Sequence, residues 1–323
     1  MEVRALGRSG VDVSRVILGC GNFGGVGSSP AYFGAGETEG EAHALLDAAW
    51  AAGITTLDTA DAYGGGRSES YIGSWLRTKG TDVRDRLVLT TKTFNPMQDG
   101  ADRGLAPSRV RRQLEGSLTR LGVEAVDLYL AHEPDPGTPL EEAVGVFAEL
   151  QREGKLRAFG GSNVDRGWLD EALGLAAPGS PRVEWAQNSY SLLERSDESG
   201  VLEVCAREGL GYTPFSPLAG GWLTGKYRRG EPPPEGSRMT IRPEPYEHLR
   251  DDRTFDALEA FEAQAAERGT TPAALALAWV LSHPHVTAVV IGPRRAEHLR
   301  PALDALELRL SPVERGTITE LFA

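Results

Sequence analysis

The chain has 323 residues, 40% of them hydrophobic and 25% charged, with a formal net charge of −12. That balance supports a large buried core and argues against a general attraction to nucleic acid, whose phosphates call for a basic face. No apolar run approaches the roughly 20 residues needed to cross a bilayer. The opening MEVRALGRSGVDV has neither the basic nor the apolar region of a secretion signal. Cys20 and Cys205 alone imply no disulfide framework. The expectation is a cytoplasmic protein without a membrane or nucleic-acid partner.

Residues 2–13 read as a small hairpin with GRSG as its turn. Short apolar runs then alternate with longer amphipathic stretches, the pattern of βα units and a parallel sheet. The predicted strands are RVILG (15–19), TTLD (55–58), LVLTTK (87–92), VDLYLAH (126–132), RAFGGS (157–162), VEWAQN (183–188), LGYTPF (210–215) and TAVVIG (287–292). Between the first two, TEGEAHALLDAAWAAG opens with Thr38 and Glu41 spaced as a capping box and closes on Gly53. SRVRRQLEGSLTRLG sets Val110, Leu114, Leu118 and Leu121 on one face. Pro139 and Pro272 suit the first turns of two further helices. Between Phe215 and Gly292 the spacing stretches, with a polar loop GEPPPEGSR and an extra helix near 252–268. The expectation is one (β/α)8 TIM-barrel domain over 1–323, with an N-terminal β-hairpin and extra helices. The insertion is read as a flap, because the last strand is needed to close the barrel.

In such barrels the chemistry sits at the C-terminal ends of the strands and in the loops after them. Asp58, Lys92 and His132 end three consecutive apolar strands, where a charged or ionisable side chain carries a desolvation cost unless it is paired. Tyr63 follows in the loop DAYGGGRSE. A tyrosine of pKa about 10 is a poor acid at neutral pH. A neighbouring ammonium lowers that pKa, Asp58 would hold the ammonium charged, and His132 would aim an N–H at a carbonyl oxygen. Lysine is rare here: 4 Lys stand against 30 Arg. Lys79 and Lys155 fit a helix end and a helix-to-strand turn, which leaves Lys92 and Lys226 needing a specific role. His283-Pro-His285 has no carboxylate or cysteine beside it and reads as a turn, so no metal site is expected.

LGCGNFGG, TTLDTADAYGGGRSE, LVLTTK, VDLYLAH, GKLRAFGGSN, WAQNSYSLL, PFSPLAGGWLTGKY and VIGPRR together resemble the aldo-keto reductases, from about residue 3 to residue 306. The style of PFSPLAGGWLTGKY is similar to the branch that holds potassium-channel beta subunits and many bacterial reductases. The resemblance implies a catalytic set of Asp58, Tyr63, Lys92 and His132, with Tyr63 the proton donor to a small carbonyl substrate. It also implies a nicotinamide cofactor across the barrel top, contacting Gly21, Asn22 and Asp58. Ser162, Asn163 and Gln187 would hold its carboxamide, with Phe215 stacked on the ring. Ser216, Pro217, Leu218, Gly220, Lys226 and Arg238 would wrap the pyrophosphate. Gly292, Arg294, Arg295 and His298 would line the adenosine end. Two arginines at a helix start read as a 2′-phosphate site, hence NADP(H) over NAD(H). Relatives carry Gln or Arg, then Glu and Asn, where this chain has His298, Pro301 and Ala302. Phe23, Phe94 and Trp222, with Tyr63 and His132, are the expected substrate contacts, and Tyr32 or Phe33 are further loop candidates. Two other readings remain at this stage: a Schiff-base lyase using Lys92, and a cofactor-binding regulatory subunit.

Overall fold

The computed structural model describes all residues, 1–323. An antiparallel hairpin, β1 (Val3–Ala5) and β2 (Asp12–Ser14), precedes eight strands that form one parallel sheet. These are β3 (Val16–Gly19), β4 (Thr56–Asp58), β5 (Val88–Thr93), β6 (Val126–Ala131), β7 (Leu156–Ser162), β8 (Val183–Gln187), β9 (Gly211–Tyr212) and β10 (Val289–Ile291). Their spatial order is β10-β3-β4-β5-β6-β7-β8-β9. The seam closes where Thr287 N–H donates to the Tyr212 carbonyl at 2.8 Å and Val290 N–H to the Pro214 carbonyl at 2.9 Å. The sheet is therefore a (β/α)8 barrel. Each predicted strand is present, with its ends moved by one to a few residues.

The period-2 alternation of β5 explains how one strand serves two environments. Val88 joins an inner cluster with Ile17, Leu128, Leu130, Ala158, Trp185 and Val290, while Leu89 joins the larger core between strands and helices. Leu6, Val11 and Val13 of the hairpin region belong to the inner cluster, so the hairpin plugs the barrel's N-terminal end. The C-terminal mouth is left to polar side chains.

Outside the strands lie α1 (Glu39–Ala51), α2 (Arg67–Arg77), α3 (Thr81–Arg86), α4 (Pro107–Leu121), α5 (Leu140–Arg152), α6 (Arg166–Gly174) and α7 (Val201–Glu208). The capping box forms, with Glu41 N–H donating to Thr38 Oγ1 and Thr38 N–H to Glu41 Oε2. Val110, Leu114, Leu118 and Leu121 are buried on α4, and Gly122 ends it in the left-handed region at φ 71°. Pro139 stands one position earlier than expected, as the residue before α5 rather than inside its first turn. Lys79 lies past the end of α2 and pairs with Asp47 at 2.5 Å, while Lys155 pairs with Glu115 at 3.2 Å.

The expected insertion holds a turn at Ala219–Thr224, α8 (Arg238–Ile241), a second turn at Glu244–Leu249 and α9 (Asp252–Glu267). Then come the almost wholly buried α10 (Pro272–Leu281), and after β10, α11 (Arg300–Glu307) and α12 (Pro312–Glu320). No helix is long and apolar enough to cross a membrane.

Arg15 fastens the seam from below. Its guanidinium is buried and donates to the carbonyls of Val286 at 2.7 Å, Thr287 at 2.5 Å and Leu281 at 2.5 Å. Burial pulls its pKa down to about 10, so the charge is held by carbonyl dipoles rather than by an acid. Arg15→Met leaves those carbonyls without a donor and should lower unfolding stability by about 3 kcal/mol. Chemical denaturation of the variant measures this; unchanged stability would show that the seam does not depend on Arg15.

Candidate active site

Parallel pairing brings the strand ends into line. Gly19 is opposite Asp58, Asp58 opposite Thr90, Lys92 opposite Leu130, and His132 N–H donates to the Thr93 carbonyl. Lys92 and Asp58 project into the mouth of the barrel and are almost wholly buried there. Lys92 Nζ donates to Asp58 Oδ1 at 2.5 Å, to the Thr59 carbonyl at 2.9 Å and to Tyr63 Oη at 3.2 Å. Three acceptors match the three donors of an ammonium. The same Nζ lies 4.8 Å from the centre of the Tyr63 ring. His132 meets that ring edge-on, centroids 5.4 Å apart at 78°. The four residues separated by up to 74 positions in the chain thus form one contact group.

The electrostatics sharpen the roles. Burial pulls Lys92 down, but Asp58 and then Tyr63 push it up, and its pKa ends above the usual lysine value. The ammonium therefore stays charged. Burial raises the Tyr63 phenol, and the opposing effect of Lys92 is the smaller of the two. The expected lowering of Tyr63 is thus reversed in net, because removing a phenolate from water costs more than one ammonium returns. Burial, then Lys92, holds His132 well below the usual histidine value, so its imidazole is neutral. His132 Nδ1 is buried without a hydrogen-bond partner.

The outer face of the same strands supplies a support that the sequence reading missed. Thr93 Oγ1 donates to Asp61 Oδ2 at 2.7 Å and accepts from Arg109 at 2.9 Å. Thr91 Oγ1 donates to Glu69 Oε1 at 2.5 Å, and Arg120 Nε to Glu69 Oε2 at 2.7 Å. Asp61 N–H donates to the Lys92 carbonyl, which ties the turn before Tyr63 to the strand carrying the ammonium. The signal for this was present as Thr and Asp alternating with the inward residues, but it looks like ordinary strand chemistry.

Of the expected cofactor residues, Gln187 Nε2 donates to Asp58 Oδ2 at 2.9 Å and so belongs to the same network. Ser162 is opposite Gln187 in the sheet, and Asn163 donates to the His132 carbonyl at 2.9 Å. A Cβ on Gly21 would stand 3.6 Å from the Tyr63 ring, and Asn22 stands beside Gly292. Phe215 packs on the inner cluster at the barrel's last strands. The non-glycine residues at positive φ are Asn163, Ser216 and Ala219, all at this rim. Such backbone strain gathers where a site must be shaped. Pro217 and Leu218 continue the same turn, and Tyr246, not anticipated, covers Gly220 and lies 3.3 Å from Ser216 Oγ.

Lys226 has no carboxylate partner; burial, then Arg238 and Arg294, lowers its pKa. Its ammonium rests where a Cβ on Gly221 would stand. Arg238 reaches Asn22 Oδ1 at 3.5 Å. Arg294 is engaged by Glu37 at 2.6 Å, and Arg295 is exposed beside Glu297 at 3.3 Å. His298 Nδ1 accepts the Arg294 N–H at 3.3 Å. A rim of bare glycine backbone, uncompensated cations and an orphaned imidazole nitrogen fits a nucleotide cofactor.

The aromatic residues expected over the substrate are placed differently. Phe23 and Phe94 are buried in the core, the latter under the Arg103 guanidinium. Trp222 is buried against Tyr227 and Phe255 within the flap. Trp222 belongs to the same large core as the strands and helices, at the turn Ala219–Thr224. A polar cavity of about 650 Å³ opens next to Asn163, lined among others by Trp168, Asn188 and Asp197, but it does not include Tyr63 or Lys92. His283 and His285 form the expected turn, with His285 N–H donating to His283 Nδ1.

Asp61 carries a measurable consequence. Burial, then Glu69, raises its pKa from 3.8 to about 7, and Oδ1 has no partner. The unfolded chain thus holds fewer protons here between those values. Stability then falls as pH rises from 3.8 to about 7. Asp61→Asn should remove that part of the slope in melts taken across the window; an identical slope would refute the assignment.

Comparison with known proteins agrees with this geometry. The Aldo/keto reductase family model matches residues 15–323. The chain is 37% identical to an uncharacterized oxidoreductase, YrpG, of Bacillus subtilis, over 100% of this chain and 96% of the relative. It is 34% identical to a probable voltage-gated potassium channel subunit beta of Oryza sativa, over 95% and 92%. It is 32% identical to L-glyceraldehyde 3-phosphate reductase of Escherichia coli, over 100% and 93%. The chain therefore belongs to the aldo/keto reductase family, oxidoreductases that reduce aldehydes and ketones.

Proposed function

We propose that this protein reduces an aldehyde or ketone with NADPH, Tyr63 delivering the proton to the carbonyl oxygen. The observation that carries this reading is the Tyr63 hydroxyl within 3.2 Å of a buried Lys92 ammonium that is itself fixed on Asp58 at 2.5 Å. A bound nicotinamide supplies the hydride. Tyr63 holds its proton at neutral pH because burial raises its pKa. Lys92, charged and desolvated, stabilises the phenolate that forms as the proton leaves. Asp58 keeps that ammonium in place, and Gln187 fixes the second oxygen of Asp58. Neutral His132 offers a ring N–H to the oxygen on which charge develops.

Lys226, Arg238 and Arg294 supply positive charge for the cofactor's phosphates, and this supports the 2′-phosphorylated form. Gln187, Asn163 and Ser162 are the residues that would hold the carboxamide. An imine on Lys92 is disfavoured by the same geometry, since an ammonium locked on a carboxylate is a poor nucleophile.

The test is NADPH oxidation with a panel of aldehydes and ketones, read by absorbance, with NADH in parallel. Tyr63→Phe should lower kcat by about a thousandfold while leaving NADPH affinity by fluorescence titration close to that of the wild type. Equal turnover by the two proteins would refute Tyr63 as donor. Reduction should persist through neutral pH and fall only as the pH climbs past the ordinary tyrosine value of 10.0. A loss centred near neutrality would point to another acid.

A further inference from the structure

Lys226, Arg238 and Arg294, the cations gathered at this end of the site, are not equivalent. Lys226 and Arg238 face one another and Arg294 as like charges, with no acid paired to either. Arg294 alone is claimed. Its Nε donates to Glu37 Oε1 at 2.6 Å, and its Nη1 to the Gly236 carbonyl of the flap at 3.1 Å. Glu37 is only 5% exposed, and its Oε2 is buried with no partner.

The main chain at Glu37 is fixed on both sides. Glu37 N–H donates to the Asn22 carbonyl at 2.8 Å, and the Glu37 carbonyl accepts from Gly24 N–H at 2.8 Å. The carboxylate has no easy route into water. The ionised groups facing it are Arg294, from the loop after β10, and Glu41, from α1; around Arg294 lie Lys226, Arg238, Arg295 and His298. Burial raises the Glu37 pKa, against the opposing pull of Arg294.

A dry, half-satisfied carboxylate holding one of three phosphate-facing cations is a competitor for any anion that needs that cation. Resting on the cofactor reading above, we propose that Glu37 is a specificity-determining residue. It holds Arg294 by charge, so a 2′-phosphate gains that guanidinium only at the expense of the buried pair. The preference for a 2′-phosphorylated over an unphosphorylated nucleotide is thereby set by Glu37 and not by the arginines alone. Glutamine in its place accepts the same hydrogen bond without the charge, and leaves Arg294 free to turn to the phosphate.

The experiment is calorimetric titration of wild type and Glu37→Gln with 2′,5′-ADP and with 5′-AMP, which differ by the 2′-phosphate. The variant should bind 2′,5′-ADP about tenfold tighter, the worth of one charge-assisted contact, with 5′-AMP unchanged. The gain should vanish in Glu37→Gln/Arg294→Ala, because it is routed through Arg294. It should also narrow as the pH is lowered, since protonated Glu37 no longer competes and burial raises its pKa. Taking the ratio of the two proteins at each pH cancels the titration of the phosphate itself. Glu37→Ala, which also removes the charge, gives the same direction if the isosteric variant does not fold. Unchanged or weaker binding of 2′,5′-ADP by a folded variant overturns the role of Glu37, as does a gain that survives the loss of Arg294. If wild type binds NADPH while these results fail, only the role of Glu37 falls. If it binds neither NADPH nor 2′,5′-ADP, the cofactor reading falls and this proposal with it.

Discussion

The site depends on one constraint: an ammonium and a carboxylate held together in the dry mouth of a closed barrel. Neither Lys92 nor Asp58 tolerates that place alone, because an unpaired buried charge costs several kcal/mol (roughly 3–5 when one partner is removed). Each uses up its partner's capacity. Lys92 spends its three donors on Asp58, Thr59 and Tyr63, and Asp58 spends its second oxygen on Gln187. The pair thereby links β4, β5 and β8 across the barrel and fixes the phenol at a stated distance from a positive charge. Under the proposed chemistry the same desolvation that makes the pair costly also makes it effective, since a charge counts for more in a low-dielectric site.

The proton balance follows from the same burial. Both Tyr63 and His132 are pushed toward their neutral forms, the phenol upward and the imidazole downward. Under the proposed chemistry, two neutral hydrogen-bonding groups and one cation would then face the substrate oxygen. The ammonium does not make Tyr63 an easily ionised acid in the resting protein; in the proposed reaction it would stabilise the anion once the proton has gone. Behind the strands, Thr91 and Thr93 hand the constraint on to Glu69 and Asp61, so the inward and outward faces of β5 work together.

The fold was largely legible in the chain because period-2 and helical patterns are local. The eight strands, the capping box at Thr38 and the stop at Gly53 each follow from residues within a few positions. The aromatic wall was not legible. Phe23, Phe94 and Trp222 have the composition of a substrate pocket, yet all three are buried in the main core, with Phe255 from α9 against Trp222. Hydrophobicity states that a ring will be covered, and only packing states by what. Glu37 was invisible for the same reason: its partner Arg294 is 257 residues distant.

What the sequence by itself determined is the barrel and which polar side chains end its strands, since both rest on motifs and periodicities written within short windows. What only the tertiary structure decided is the state of those groups. The direction of the Tyr63 shift, the capture of Arg294 by Glu37, the orphaned nitrogen of His132 and the burial of Trp222 in the main core all depend on burial and on long-range neighbours. Desolvation is a property of the closed barrel and its covering loops, and no stretch of chain possesses it until the rest has folded around it.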